Sequence, residues 1–398
     1  MGEWKKYKVS DIGKVVTGRT PKTSNHDFYG GSIPFLTPSD DMNVKYVLPT
    51  LRTLTESGKL SVKNSVIPAD SVCVSCIGSD LGKVVITTEE TVTNQQINSI
   101  IIDKSRFDVD FVYYSMIIIG KILNYNSKIS TAVPIINKGF FSQYEIFCPP
   151  LEEQKQIASV LSALDDKIEL NNRINKNLEE QAQAIFKSWF VNFEPFGGVM
   201  PEDWKITTLG EVCSCVLGGT PSRKNPEYWN GNISWINSGE VNRFRITSPT
   251  ELITKKGLNS SSTKLLPEKT TVLAITGATL GQVSLLEIES CANQSVVGVI
   301  PNEILPYEYI FPFIKSNIKE ITSYQTGGAQ QHINKQNVES LPVYIPYEKS
   351  IENYKNITSP IYNMIAEKCF ENQHLSAIRD VLLPQLMNGR IDVSEIRI

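Results

Sequence analysis

Hydrophobic positions follow two periods along this chain, one typical of strands and the other of long helices. Alternating apolar runs at residues 71–76 and 271–275, each bounded by glycines, predict several short strands in a mixed α/β (α+β) fold. Within the same regions the pattern also predicts helices at residues 109–124 and 306–322.

Between residues 151 and 189 the chain has neither glycine nor proline, and apolar residues recur at alternating steps of four and three. This heptad pattern predicts a long coiled-coil helix. Its seam residues are Ile157, Leu161, Leu164, Ile168, Leu178, Ile185 and Trp189. Asn171 and Asn175 replace apolar residues in the seam, where polar side chains typically fix register at some cost in stability.

A second helix with a matching seam is predicted from about residue 351 to 387, and Pro384 should kink or end it near its last turn. Its seam includes Ile361, Leu375, Leu382 and Leu386. Two helices of similar length in one chain most simply pair with each other, antiparallel. Pairing with the helices of a partner protein is the alternative.

Both patterns occur twice, in the same order, at a spacing of almost two hundred residues. The matches include Trp4 with Trp204, Thr20-Pro21 with Thr220-Pro221, Gly78-x-x-Leu81-Gly82 with Gly277-x-x-Leu280-Gly281, and Asn94-Gln95 with Asn293-Gln294. We therefore predict a pseudo-two-fold internal repeat. Two globular domains, residues 1–150 and 195–346, would be separated by two long antiparallel coiled-coil helices, residues 151–194 and 347–398.

Composition narrows the class of protein. The chain has 398 residues, no apolar run of about eighteen residues and no apolar leader after Met1, so we expect a cytoplasmic protein without a membrane partner. The net charge is −3, divided as +2, −3, −1 and −1 over the four predicted segments. A protein that holds DNA alone is usually more basic, so DNA binding would need help from a partner.

Catalytic and metal-binding patterns are not found in the sequence. The pair Cys73 and Cys76 falls in an alternating apolar run and has no histidine nearby, which favours a strand over a metal site. The Gly78-x-x-x-Gly82 loop and its counterpart lie between two apolar runs, which favours a hairpin over a phosphate cradle. We therefore expect no catalytic residue, no metal and no cofactor on this chain.

Polar side chains that can read base edges occur in both copies. Arginine and lysine suit guanine, and asparagine and glutamine suit adenine. The candidates are Arg19, Lys22, Lys45, Arg52, Lys128 and Thr131 in the first copy, and Arg223, Lys224, Arg243, Arg245, Gln330, Gln331 and His332 in the second. Taken one at a time, each is more simply a residue of a solvated loop.

If the copies read different sequences, base readout belongs in segments where they differ. Two such pairs are residues 41–63 against 241–264 and residues 127–136 against 326–333. Shared residues more simply hold the fold or touch phosphates, which carry no sequence information. Accordingly, the shared Asn-Gln pairs are expected to brace each domain as buried amides.

The duplicated order of domain and long helix resembles the specificity (S) subunit of Type I restriction–modification systems. The residues that carry the resemblance are Gly18-x-Thr20-Pro21 with Gly218-Gly219-Thr220-Pro221, Gly277-Ala278-Thr279-Leu280-Gly281-Gln282-Val283, Pro149-Pro150-Leu151-x-x-Gln154-x-x-Ile157, and Leu382-Leu383-Pro384-x-Leu386-x-x-Gly389-x-Ile391. The resemblance covers nearly the whole chain.

The resemblance implies two target recognition domains, each reading half of a bipartite asymmetric site in double-stranded DNA. It implies that the helices act as a spacer and dock two methyltransferase subunits, which supply S-adenosylmethionine, with restriction subunits joining in the full complex. The first copy departs from this resemblance at one loop, where it has Ser79-Asp80 and the second copy has Ala278-Thr279. The acidic side chain of Asp80 would repel phosphate there.

Two other functions remain open at this point. One is a stand-alone DNA methyltransferase or nuclease with degenerate motifs. The other is a coiled-coil scaffold that binds a protein or glycan through its two domains.

Overall fold

A computed structural model describes residues 3–47, 49–78, 80–129, 135–323 and 332–393, without the side chains of residues 127–129. The first copy contains β1 (Lys5–Lys8), α1 (Val9–Ile12), β2 (Gly13–Thr17), β3 (Tyr29–Leu36), β4 (Thr53–Leu54), α2 (Glu56–Ser61), β5 (Val66–Ile67), β6 (Ser71–Ser75), β7 (Val84–Ile86), β8 (Thr91–Thr93), β9 (Ile97–Ile102), α3 (Val109–Ile129), α4 (Lys138–Gln143), β10 (Glu145–Cys148) and the long helix α5 (Leu151–Phe190).

The second copy repeats this order with one helix divided. It contains β11 (Lys205–Thr208), α6 (Leu209–Val212), β12 (Ser214–Leu217), β13 (Trp229–Ile236), β14 (Glu251–Ile253), α7 (Lys255–Asn259), β15 (Leu265–Leu266), β16 (Thr271–Ala274), β17 (Val283–Leu285), β18 (Ser290–Ala292), β19 (Val296–Ile300), α8 (Tyr307–Ser316), α9 (Ile318–Ser323), α10 (Lys335–Glu339), β20 (Pro342–Ile345) and the long helix α11 (Glu348–Leu386).

The described strands of each copy form two four-stranded sheets and one two-stranded sheet. The first copy has the orders β2-β9-β6-β7, β4-β3-β8-β5 and β1-β10, and the second has β12-β19-β16-β17, β14-β13-β18-β15 and β11-β20. The pairs β3-β8 and β13-β18 are parallel. The matching strand orders show that the sequence repeat is a repeat of topology.

Strand β6 shows why the apolar runs form strands. All five of its residues are buried. Val72 and Val74 belong to the core cluster that contains α3, while Cys73 points into a separate cluster on the other face of the sheet. Because both faces are covered, this strand is fully buried rather than half-buried.

The described residues divide into two compact units. The first unit comprises residues 1–167 and 375–398, and the second comprises residues 168–374. In the first unit Ile157 and Leu161 share a core cluster with Leu386. In the second unit, Phe190 lies 4.8 Å from Tyr354, measured between ring centroids.

The long helices pair with each other inside each unit. In the second unit Asn171 donates to Asn372 at 2.9 Å and Asn175 donates to Cys369 at 3.4 Å, so residue numbers rise on α5 as they fall on α11. In the first unit Arg379 bonds Asp165 at 2.7 Å. The predicted antiparallel pairing is confirmed.

Most helix boundaries lie close to the predicted ones, but α3 extends to Ile129 rather than to residue 124, and one helix of the second copy is divided. Helix α5 begins directly after Pro149-Pro150, and α11 ends two residues beyond Pro384. The helix predicted at residues 306–322 is divided into α8 and α9 at Asn317, whose side-chain amide donates to the Phe313 carbonyl at 2.8 Å. Such side-chain bonds compete with the helical backbone.

Within the described ranges, no helix is both long enough and apolar enough to cross a membrane.

Candidate nucleic-acid interface

Each copy carries a loop built in the same way after its second strand, residues 18–28 after β2 and residues 218–228 after β12, here called the shared loops. A Cβ atom at Gly18 or at Gly218 would lie 2.1 Å from a carbonyl oxygen of the neighbouring backbone. No side chain fits at that distance, so the close approach of two backbones explains why both copies have glycine here.

A side-chain hydrogen bond closes each shared loop onto the same neighbouring turn. The Thr20 hydroxyl donates to Gln95 Oε1 at 2.7 Å, and the Thr220 hydroxyl donates to Gln294 Oε1. All four residues are matched between the copies. Both loops are therefore held in one conformation although most of their other residues differ.

The shared asparagines shape the turn that follows each of them, and only Asn94 is buried as predicted, whereas Asn293 is half-buried. Asn94 Oδ1 accepts from the Gln96 backbone N–H at 3.0 Å, and Asn293 Oδ1 accepts from the Ser295 backbone N–H at 3.0 Å. The glutamines that follow these asparagines are exposed rather than buried. That half of the prediction was wrong, because the glutamine amide bonds a loop threonine at the surface.

Cationic side chains lie on both shared loops. The exposed ones are Arg19, Lys22, Arg223 and Lys224. The Arg223 guanidinium lies 3.6 Å from the centre of the Trp229 ring and bonds both carboxylate oxygens of Glu251. Since Arg223 is already paired, the other three offer the simpler contacts to an anion.

A segment that differs between the copies follows β3 in the first copy and β13 in the second. We call residues 41–50 and 241–249 the divergent loops. In the first copy the buried Asp40 carboxylate accepts from the Thr37 backbone N–H at 2.7 Å and from the Leu51 backbone N–H at 2.6 Å. One carboxylate therefore joins the two ends of the loop.

The second copy closes its divergent loop with a glutamate. The buried Glu240 accepts from the backbone N–H groups of Asn237 and Thr250, both at 3.0 Å. Sequence reasoning missed both acids. The available signal was the spacing of 200 residues between Asp40 and Glu240, the same spacing that relates Thr20 to Thr220.

Lys45 was predicted to read bases, and the structure contradicts this. Its side chain is buried, and Nζ lies 2.9 Å from Asp110 Oδ1 and 2.9 Å from Ser162 Oγ on α5. Burial opposes the charged form of Lys45, but the hydrogen bond and the charge of Asp110, together with the charges of Tyr46 and Asp166, outweigh it and hold the pKa of the ammonium above its ordinary value. The positive charge of Lys45 is therefore paired with a carboxylate inside the protein.

Arg245 requires the same correction. Its side chain is 1% exposed, and its guanidinium pairs with Glu179 of α5 at 2.7 Å and with Glu287 at 3.5 Å. Burial disfavours ionisation of Glu179, but Arg245 and Lys315 outweigh it and hold the pKa of the carboxyl below its ordinary value. A base contact by Arg245 would leave Glu179 paired only with Lys315, and Glu287 paired only with Lys269.

Two other predicted readers lie at or beside the divergent loops. Arg52 is exposed, with its guanidinium 5.1 Å from the centre of the Phe35 ring. Arg243 is half-buried, donates to the Ser248 carbonyl at 2.9 Å and lies 3.4 Å from Glu240. Base contacts by Arg52 and Arg243 therefore stay predictions.

The second predicted readout segment is described only in part. Thr131, Gln330, Gln331 and the side chain of Lys128 lie outside the described residues. His332 is exposed and pairs with Thr276 through an isolated backbone bridge. This bridge places His332 beside the loop that begins at Gly277.

The Gly78–Gly82 loop connects the antiparallel strands β6 and β7, as the hairpin prediction requires. Its acidic residue does not stand alone, because Asp80 Oδ1 lies 2.7 Å from the Lys83 ammonium. The second copy has Gln282 in place of that lysine. The expected repulsion of phosphate by Asp80 is therefore largely compensated within the loop.

The predicted seam residues lie inside the units rather than on free surfaces. Ile157, Leu161, Leu164, Ile168, Leu178, Ile185, Trp189, Ile361, Leu375, Leu382 and Leu386 are all buried or half-buried. Exposed apolar side chains of the long helices are instead Leu170, Ile357, Met364, Ile378 and Val381. Sequence reasoning missed these, although three of them recur on α11 at spacings of seven and fourteen.

Nucleophilic and metal-binding chemistry finds little support in the described part of the chain. Six of the seven cysteines are buried. Burial raises the pKa of Cys73 to about 12 and that of Cys76 to about 11, so both thiols stay protonated near neutral pH. Among described residues, no group of three His, Cys, Asp or Glu side chains could hold a metal ion.

The family model described as the Type I restriction modification DNA specificity domain matches residues 1–180 and 201–359. The chain belongs to this family. DNA sequence recognition in a Type I restriction–modification system is accordingly its function, in a non-catalytic role.

Individual relatives match either nearly the whole chain or about half of it. The MjaIX specificity subunit of Methanocaldococcus jannaschii is 26% identical over 413 residues, which cover 99% of this chain and 95% of the relative. The EcoR124I/EcoR124II specificity subunit of Escherichia coli is 32% identical over 218 residues, 52% of each chain. The crystal structure of an S subunit from M. genitalium has a TM-score of 0.56 at 16% identity and covers 97% of this chain and 96% of its own, so it supports the fold.

Proposed function

We propose that each copy reads one part of a bipartite, asymmetric site in double-stranded DNA, and that α5 and α11 dock two methyltransferase subunits and separate the two readers. In this proposal residues 1–150 and 195–346 are the target recognition domains, and residues 151–194 and 347–398 are the spacer helices. Restriction subunits would join the same complex.

One observation carries the proposal: the copies share the frame of their loops and differ in the segments that the frame presents. Gly18 and Thr20 have the same contacts as Gly218 and Thr220. Residues 41–50 and 241–249 have different sequences on equivalent strands. A common frame with different loops suits two related half-sites of different sequence.

The shared loops would supply contacts to phosphate, which position a protein on DNA without reading it. Arg19, Lys22 and Lys224 are exposed cations on these loops. Base contacts would come from Arg52, Arg243, His332 and the predicted readers outside the described residues, which are Lys128, Thr131, Gln330 and Gln331. Arg223 would join them only by leaving Glu251.

Docking would use the exposed apolar side chains of the long helices. Ile357, Met364 and Ile378 are between 45% and 48% exposed on a helix whose opposite residues are buried. Apolar residues left exposed along a packed helix suit a protein partner. The modest net charge of −3 also suits a subunit that binds DNA together with partner subunits.

Long-read methylome sequencing tests the proposal. The chain would be expressed with its methyltransferase subunit in a host that lacks other adenine methylation. We expect one bipartite, asymmetric motif to be methylated and no methylation when this chain is omitted. Methylation without a sequence motif, or methyl transfer by the purified chain alone, would contradict the proposal.

A further inference from the structure

We propose that Asp40 with Lys45, and Glu240 with Arg245, are positioning residues for DNA readout. Each pair holds one divergent loop at two points, the acid at the base of the loop and the cation along its length. The inference rests on the proposed function, because it assumes that the divergent loops read the half-sites.

The acid fixes the ends of each loop. The Asp40 carboxylate binds one backbone N–H before the loop, that of Thr37, and one after it, that of Leu51. Glu240 does the same with Asn237 and Thr250. Hydrogen bonds to a charged acceptor are about twice as strong as neutral ones, so each carboxylate holds the two ends of its loop firmly together.

The cation fixes the middle of each loop to elements outside it. Lys45 reaches Asp110 of α3 and Ser162 of α5, both at 2.9 Å. Arg245 reaches Glu179 of α5 at 2.7 Å. Both cations are buried, and a buried ion pair loses much stability when one partner is removed. The loop therefore cannot leave its helix at low cost.

The two cations lie at corresponding points of the two loops, although the loop sequences differ and the segments of α5 that the cations contact are not equivalent. The residues that follow them, Tyr46 and Ile246, form parallel bridges with Ile86 and Leu286 respectively. The acids and cations differ in type between the copies, yet each copy retains one acid and one base at these positions. A recurring pair within an otherwise divergent segment indicates a task common to both copies.

The task that fits these contacts is to hold the divergent loop of each copy in one orientation. A readout loop that is already ordered loses less conformational entropy on binding and discriminates between bases more sharply. Neither the acid nor the cation needs to touch DNA for this. Their substitution should therefore alter which sequence is accepted by one copy and leave the other copy unchanged.

The test uses the full chain expressed with its methyltransferase subunit and read by methylome sequencing. Asp40→Asn and Glu240→Gln keep side-chain volume but replace one acceptor oxygen with a donor. We expect Glu240→Gln to lower discrimination at the second half-site about tenfold, comparable to loss of one good base contact. The first half-site should stay intact. Asp40→Asn and Lys45→Met should instead lower discrimination at the first half-site and leave the second half-site intact.

The duplicated chain supplies the control for folding, because an intact half-site shows that the variant is folded and assembled. Glu89→Gln and Glu289→Gln make the same exchange at exposed carboxylates of each copy and should leave the motif unchanged. A wild-type motif in all three test variants would overturn the inference, as would equal loss at both half-sites. Absence of any motif with the wild-type chain would instead contradict the proposed function.

Discussion

Glu179 lies between two cations on the surface of α5 that faces the second recognition domain. It bonds the Arg245 guanidinium at 2.7 Å and also bonds the Lys315 ammonium. Because the folded-state pKa of Glu179 is lowered, its contribution to stability is present above the unfolded-state pKa of about 4.3 and is lost as pH falls through the folded-state value.

Glu179→Gln should therefore destabilise the second unit at neutral pH by about 3 kcal/mol, since Arg245 loses a buried charged partner. The difference from the wild type should shrink as pH falls below about 4, where the wild-type carboxylate also becomes protonated. Urea unfolding at several pH values measures both effects. Glu180→Gln, at the exposed neighbouring position, is the matched control; equal stability of the two variants at pH 7 would contradict the argument.

Residue identities in the shared loops were predictable from the sequence, but the roles of the loop cations were not. Gly18 and Gly218 were recognisable because they repeat, and their close backbone contacts explain the repetition. Lys45 was assigned to DNA because the sequence shows its charge but not its partners, the carboxylate of Asp110 on α3 and the hydroxyl of Ser162, which lies 117 residues away. A long-range ion pair leaves no periodic trace.

At the scale of elements, the long helices were the most predictable part of the fold. Helix α5 runs from Leu151 to Phe190, one residue beyond the heptad pattern at residues 151–189 and four short of the predicted segment 151–194, because the heptad pattern is a local property of the chain. The break at Asn317 was missed, because the side-chain hydrogen bond that Asn317 makes there to the backbone leaves no period in the sequence.

The polar residue Asn175 in the α5 seam allows a test of helix pairing. Asn175 is buried, its Oδ1 has no hydrogen-bond partner in the described residues, and its Nδ2 reaches only the Cys369 thiol, at 3.4 Å. A buried acceptor without a partner lowers stability. The pairing is therefore weaker at Asn175 than an apolar seam would make it.

Asn175→Leu should raise the free energy of unfolding of the second unit by about 1–2 kcal/mol, since it removes an unpaired buried polar group from a heptad seam. Thermal unfolding followed by circular dichroism measures the change. Asn177→Leu, at an exposed position two residues away, should give no gain. A lower midpoint for the Asn175 variant would show that the amide stabilises the pair.

At the scale of the whole molecule, the proposed spacer role can be tested by shortening both helices in register. Deletion of residues 168–174 and 370–376 removes one heptad around the contacting residues Asn171 and Asn372. A heptad spans about 10 Å of helix, which corresponds to at most about three base pairs.

We expect methylome sequencing of the shortened chain to show a smaller gap between two unchanged half-sites. The deletion leaves both divergent loops and their acid and cation positions in place, so readout itself has no reason to change. An unchanged gap would argue against the spacer role, and altered half-site sequences would argue against independent reading by the two copies.

The distribution of indole rings has a practical consequence. Of the five tryptophans, only Trp4 lies in the first unit, while Trp189, Trp204, Trp229 and Trp235 lie in the second. Intrinsic fluorescence therefore observes mainly one unit, whereas far-ultraviolet circular dichroism observes both. A midpoint that differs between the two signals would reveal stepwise melting, and excitation at 295 nm would follow DNA engagement by the second recognition domain without any added dye.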